Sequence, residues 1–242
     1  MTAFAANSGT PRTANYLTGD AAELSRLGKL LPPLLSAIAG MVDLTGFLTL
    51  GNIFTAHITG NLVLAAAALR GGPLNPAQAL AIPVFMLAVA ATWLIARVSN
   101  KRGMALVRLL LGVQFGLLLA VLIFSVLTRP SANPHGLMAG IAAMIAVSAM
   151  ACQYALLRVA MPKVVSTAVM TGNLTNAVLS LMETLSTLRS PTKPSPDQLE
   201  SSVRLLVGFL VGCLVAAAGV VFLTDWAWLL PTALAAVVLV LR

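Results

Sequence analysis

TAHITGNL (Thr55 to Leu62) returns as TAVMTGNL (Thr167 to Leu174), with six of eight positions identical and the copies 112 residues apart in a chain of 242. A repeat at about half the chain length means two copies of one unit, each with the same polar stretch in the same place. Both copies sit among long apolar runs: Leu30 to Leu50, Ala79 to Val98, Ala105 to Leu127, Gly136 to Val159, Val203 to Leu223 and the shorter Ala227 to Leu241. A hydrocarbon core of ~30 Å takes about 20 apolar residues to cross as a helix, so these six runs are predicted to span a membrane. The repeat elements, Asn52 to Leu69 and Val165 to Leu188, differ in kind. Each opens with Thr, Gly and Asn, and only its second half is mostly apolar.

Composition agrees. Apolar residues are 59% of the chain, charged residues 9%, and the mean hydropathy is +0.94, against roughly 45–50% apolar and ~25% charged in soluble domains. The predicted class is an all-α polytopic membrane protein. The net charge of +8 does not indicate nucleic acid, because Lys and Arg stand at the ends of apolar runs, where they orient helices and meet anionic headgroups. No basic patch with interleaved aromatics exists. Cys152 and Cys213 lie inside apolar runs, which favours buried packing over a disulfide or a metal site. Residues 1–28 are polar and lack the apolar core of a signal peptide. They read as a mobile cytoplasmic tail ahead of one membrane domain, 29–242, whose repeats cover about 30–127 and 136–242. A glycine-rich phosphate loop, a Gly-x-Ser-x-Gly elbow and a His or Cys pair at metal spacing are all missing from the sequence, so neither a cofactor nor a metal is expected.

If both repeat elements cross the membrane there are eight spans and the repeats are parallel. If both dip in and return there are six spans plus two re-entrant or broken helices. The positive-inside rule discriminates. With six spans and a cytoplasmic N-terminus, only Arg70 and Arg129 fall outside. Arg12, Arg26, Lys29, Arg97, Lys101, Arg102, Arg108, Arg158, Lys163, Arg189, Lys193, Arg204 and Arg242 are then cytoplasmic. Eight spans put Arg97, Lys101, Arg102, Arg108, Arg158 and Lys163 outside. The six-span layout, with both termini cytoplasmic, is therefore expected. Three crossings per half invert the second unit relative to the first, an arrangement in which broken helices meet at a shared midplane site.

Asp43 is the least expected residue, about fourteen positions into the first span, where an acid costs about 2.5–3.5 kcal/mol on insertion scales. It is predicted to face the bundle interior as a proton or cation site, or to lock packing through helix ends and Thr hydroxyls. His57 opens the first repeat element and is a candidate proton-relay partner; the second copy has Val169 there, so its role is asymmetric. The triplets Thr59-Gly60-Asn61 and Thr171-Gly172-Asn173 suit the start of a half-helix. Gly permits a sharp turn and Thr or Asn can cap exposed N–H groups. Two facing starts would favour anions or polar neutral solutes. Ala56-x-x-x-Gly60 and Ala168-x-x-x-Gly172 are also small-residue packing motifs. Gln153 and Tyr154 precede the second element much as Asp43 precedes the first, and suit either a cavity wall or core hydrogen bonding. Gly112-x-x-x-Gly116, Gly136-x-x-x-Gly140 and Gly208-x-x-x-Gly212 suit helix contacts within the chain or in a homo-oligomer.

Ala39 to Asn61, AGMVDLTGFLTLGNIFTAHITGN, resembles the signature of the YoaK family of bacterial membrane proteins, also called DUF1275. Gly40, Val42, Asp43, Phe47, Leu48, Leu50, Gly51, Ala56, His57, Thr59, Gly60 and Asn61 carry the likeness. Gln153, Ala155, Arg158, Thr167, Thr171, Gly172 and Asn173 extend it into the second half. Tyr154 departs from the family's usual Asn. The resemblance, over roughly residues 30–240, implies an integral protein of the bacterial inner membrane and no established substrate. The expected function is a transporter or channel for a small solute, with a central site formed by Asp43, His57, Thr59, Asn61, Gln153, Thr171 and Asn173. The alternatives are an intramembrane enzyme using Asp43 and His57 as an acid/base pair and a non-transporting scaffold or sensor.

Overall fold

No proline interrupts the chain between Arg12 and Leu31, and the apolar run that follows has its polar groups only at wide intervals. In the computed structural model this stretch forms one helix, α1 (Arg12–Thr49), reaching back into the segment that composition reads as a tail. The structure describes residues 12–71, 75–162, 167, 170–185 and 196–241. Lys163, Ala168, Val169, Arg189, Lys193 and Arg242, with the first eleven residues, lie outside these. The remaining helices are α2 (Ile58–Ala68), α3 (Pro76–Val98), α4 (Met104–Thr128), α5 (Leu137–Ala160), α6 (Met170–Leu185), α7 (Pro196–Leu223) and α8 (Leu229–Val240). No strand occurs among the described residues.

Five stretches are long and apolar enough to cross a membrane: Leu30–Thr49, α3, α4, α5 and Leu199–Val240. The last has 42 residues, about twice what one crossing needs. It is broken by a 3-10 turn, Thr224–Trp228, where Thr224 adopts φ 51°. The chain is a multi-pass integral membrane protein.

Helices α1 and α5 form the centre, while α3 turns most of its surface outward. Along α5, Ala139, Ala142, Ala143, Ala146 and Ala149 are fully buried, and their small side chains let neighbouring helices approach. Helix α1 packs along α7, α3 along α5, α4 against α5 and α8, α8 also against α1, α2 on α3 and α6 on α7. Gly208 and Gly212 of α7 meet the backbone carbonyls of Pro33 and Ala37 with no room for a Cβ, so this glycine pair is used inside the chain. Around Gly112 and Gly116 of α4 no described residue comes within 4 Å of where a Cβ would stand.

Polar contacts collect helix ends at one end of the bundle. Asn75, the N-cap of α3, donates from Nδ2 to the Gly51 carbonyl at 3.0 Å, and Gln78 donates to the Asn52 carbonyl at 3.2 Å. Gly51 is also crowded by Pro134 and His135 just ahead of α5. Beyond α4, the Ser131 hydroxyl donates to Asp225 at 2.7 Å and its N–H at 3.2 Å. The ends of α1, α4 and α7 thus meet the starts of α3, α5 and α8. At the opposite end, Arg97 lies over the Trp93 ring, 5.0 Å from its centroid.

Candidate functional site

After Thr49 the chain reverses. Gly51 and Asn52 both take left-handed backbone, φ 78° and 59°, a conformation open to Gly without penalty and tolerated by Asn. A residue with a Cβ at 51 would also strike the Pro134 carbonyl. Ile53 to His57 then runs back along α1. Gly46 makes this possible: a Cβ there would stand 2.8 Å from the Thr55 methyl.

The returning segment is not helical, so its N–H groups need partners from elsewhere. Asp43 supplies them. Its Oδ1 accepts the N–H groups of Thr55 and Ala56, both at 2.7 Å, and at 3.4 Å the His57 N–H and the Thr55 hydroxyl. Its Oδ2 meets His57 Nδ1 at 2.5 Å. On the other side Tyr154 of α5 donates from its hydroxyl to the Ala56 carbonyl at 3.3 Å. The bend is held by α1 through its N–H groups and by α5 through a C=O. An acid buried at 4% exposure is accommodated because its oxygens are filled by donors and a histidine.

Helix α2 starts at the next residue, and the Thr-Gly-Asn triplet occupies its first turn rather than capping it. The N-cap, His57, makes no side-chain cap bond. Asn61 instead reaches back to the residue before the bend, accepting from the Phe54 N–H at 2.9 Å and donating to the Phe54 carbonyl at 2.7 Å. Gly60 lies against the Phe54 ring. Thr59 is exposed.

With Nδ1 committed to Asp43, the remaining polar atom of the His57 ring is Nε2, for which no partner exists among the described residues. The ring is 38% exposed and lines a cavity of about 420 Å³. Asp43, Leu44 and Phe47 of α1, Phe54, Thr59 and Gly60 of the repeat element, and Phe209 and Cys213 of α7 complete its described wall. Two phenylalanines flank the imidazole, Phe54 at 6.3 Å and Phe209 edge-on at 5.2 Å, and Phe47 packs on Phe54 with centroids 4.9 Å apart. A second cavity of about 550 Å³ between α3, α4 and α5 is apolar apart from Asn75, His135 and Ser148, and shares no described residue with the first.

Of the residues anticipated for a central site, the structure brings together Asp43, His57 and Thr59, with Asn61 fastening the bend beneath them. Gln153 lies elsewhere. It donates to the Leu35 carbonyl at 2.9 Å and accepts from Gln114 at 2.7 Å, tying α1, α4 and α5 in the core. Thr171, Gly172 and Asn173 are on α6, which packs on α7, and none is among the described residues of the His57 cavity. Asn173 is buried like Asn61, whereas Thr171 is exposed. Sequence reasoning missed Phe209 and Cys213, which are apolar residues in an apolar run and carry no local signal.

A family model described as "Protein of unknown function (DUF1275)" matches residues 31–241. The chain belongs to the DUF1275 family. No curated protein and no solved structure matches it. The DUF1275 match covers the membrane part of α1 and everything after it, so the Asp43 and His57 site lies wholly within the family's own domain. Neither the family's description nor the match assigns these residues a role.

Proposed function

We propose that this DUF1275 protein is a membrane transporter for a small solute, built from two inverted repeats, with its working site at Asp43 and His57. The observation that carries this reading is the use of a buried intramembrane carboxylate to hold a non-helical bend, beside a histidine in an aromatic cavity. Non-helical backbone at membrane depth belongs where it is buried in protein or lines a cavity, and intramembrane acids mark ion or substrate pathways. Protonating Asp43 would discharge and so weaken the acceptor that holds the bend, which links proton occupancy to the shape of the site.

Three features support the repeat and the six-span layout. Both copies of the Thr-Gly-Asn triplet lie in helix, Thr59 to Asn61 in α2 and Thr171 to Asn173 in α6. The packing pairs exchange when the first four helices are swapped for the last four: α1 on α7 becomes α5 on α3, α2 on α3 becomes α6 on α7, and α4 on α5 becomes α8 on α1. The Asn75 to Gly51 bond returns the chain to the end of the bundle it had just reached, which is what a re-entrant α2 requires. The basic end carrying Arg97, Lys101 and Arg102 then faces the cytoplasm of a bacterial cell, and the Gly112 and Gly116 face of α4 is left for a second copy.

The test is solute uptake into proteoliposomes under an imposed pH gradient, wild type against Asp43→Asn. Saturable uptake that disappears in a folded Asp43→Asn protein supports the reading. Uptake unchanged by the substitution, or none across a broad solute panel, overturns it. Lipid turnover by the purified protein would favour the intramembrane enzyme instead.

A further inference from the structure

If the protein is a transporter, the chemistry left on the cavity wall narrows its solute, and the assignment of that solute rests on the transport reading. We infer that the His57 cavity takes a small apolar carboxylic acid, which hands its own proton to His57 Nε2. The wall is largely carbon, from Leu44, Phe47, Phe54 and Phe209. Asp43 is largely engaged already, since Oδ1 accepts the Thr55 and Ala56 N–H groups and Oδ2 meets His57 Nδ1. An organic cation would have to compete with these donors for Asp43, the one acidic group on the described wall. A sugar or polyol would leave most of its hydroxyls unpaired, at about 1–3 kcal/mol each. What the wall still offers is His57 Nε2 and the Thr59 hydroxyl, on the lining of an otherwise largely apolar space. An apolar body with one carboxyl end matches that pattern, and about 420 Å³ lies within the ~300–1,000 Å³ of small-molecule sites.

The tautomer is set by the geometry. Nδ1 carries its hydrogen toward Asp43, so in the neutral ring Nε2 holds a lone pair. An incoming acid R–COOH gives up its O–H bond as an Nε2–H bond forms, leaving R–COO⁻ against an imidazolium. The Asp43 carboxylate on Nδ1 favours the charged ring, so the proton rests on Nε2. Asp43 balances the imidazolium, and the backbone donors on Asp43 hold that charge in place. Reversal on the other side frees the neutral acid, so one proton and one carboxylate move together without net charge.

The chain contains only two histidines, His57 and His135, so ¹⁵N-histidine labelling reads the site directly in nanodiscs, with His135→Asn assigning the signals. The probes are benzoate, benzylamine and benzyl alcohol, which share a body and differ in the polar end. Benzoate is expected to bind saturably, to move the His57 Nε2 signal into the imidazolium range, and at alkaline pH to take up one proton per molecule bound, read by calorimetry in two buffers. His57→Gln keeps a donor for Asp43 and is expected to weaken benzoate binding about tenfold or more, the loss of one charge-assisted hydrogen bond. If that variant does not fold, the comparison of the three probes on wild type stands alone. Selective binding of benzylamine or benzyl alcohol, benzoate binding without proton uptake, or no response to any probe overturns the carboxylic-acid assignment. The transport reading is unaffected by those results, because it is decided separately by Asp43-dependent uptake across the solute panel.

Discussion

Asp43 and Asn61 divide the labour of holding one bend, and the division could not be read from their identities. Both stood out in the sequence, Asp43 as an acid inside an apolar run and Asn61 as a repeated amide. Their partners did not, because those partners are backbone groups of Phe54, Thr55, Ala56 and His57, available only once the chain has turned back on α1. Asn61 is fully buried and makes both of its bonds to Phe54. Asn61→Ala is expected to strand a backbone donor and acceptor, costing about 1–3 kcal/mol for each. Thr59→Ala, at an exposed position two residues away, is expected to stay within about 0.5 kcal/mol of wild type. Thermal unfolding in detergent measures the contrast, and equal losses for the two would show that Asn61 does not pin the bend. Asp43→Asn removes the charged partner of Nδ1, so the His57 tautomer preference is expected to vanish from the ¹⁵N spectrum. Persistence of the Nδ1–H form would detach His57 from Asp43.

At the scale of elements, the segment from Leu50 to His57 is the part a periodicity argument reads least well, since it is neither helix nor strand. It travels from the end of α1 to the level of Asp43, six residues earlier and so roughly 9 Å back along the helix at ~1.5 Å per residue. The spacing of apolar runs made the flanking helices legible to within a few residues. The direction of the segment depended on Gly46, Gly51 and Asn75 acting together. Gly46→Leu is expected to push Thr55 off α1, cost about 1–3 kcal/mol by overpacking and erase the His57 signature. A stable Gly46→Leu protein with that signature intact would mean the close approach is not needed. The far wall supplies a second check. Cys152 is 1% exposed and sits in the core beside the Leu110 carbonyl, whereas Cys213 lines the His57 cavity. A small hydrophilic thiol reagent is expected to label wild type once per chain, at Cys213, and Cys213→Ser is expected to abolish the label. No labelling at Cys213 would leave the cavity dry and favour a scaffold.

The whole molecule turns on which face of the membrane each helix end occupies. The count of basic residues and the polar contacts at the helix ends are independent arguments, and they point to the same layout. Arg97, Lys101 and Arg102 lie at the α3 to α4 turn, at the end of the bundle away from Gly51, Asn75, Ser131 and Asp225. If α2 spanned the membrane, Gly51 and Asn75 would stand about 30 Å apart, yet a hydrogen bond of 3.0 Å joins them. A six-span protein with cytoplasmic termini therefore places Lys101 in the cytoplasm, and an alkaline phosphatase fused at Lys101 is expected to be inactive while a fluorescent protein fused there is bright. A pair of fusions at Arg129 is expected to give the reverse. Active phosphatase at Lys101 would make α2 a full crossing and the repeats parallel, and the swap of packing partners between the two halves would then need another cause. Only the first copy of the motif carries a histidine, with valine at the matching position of the second, so the two copies are expected to divide proton handling from packing rather than share it.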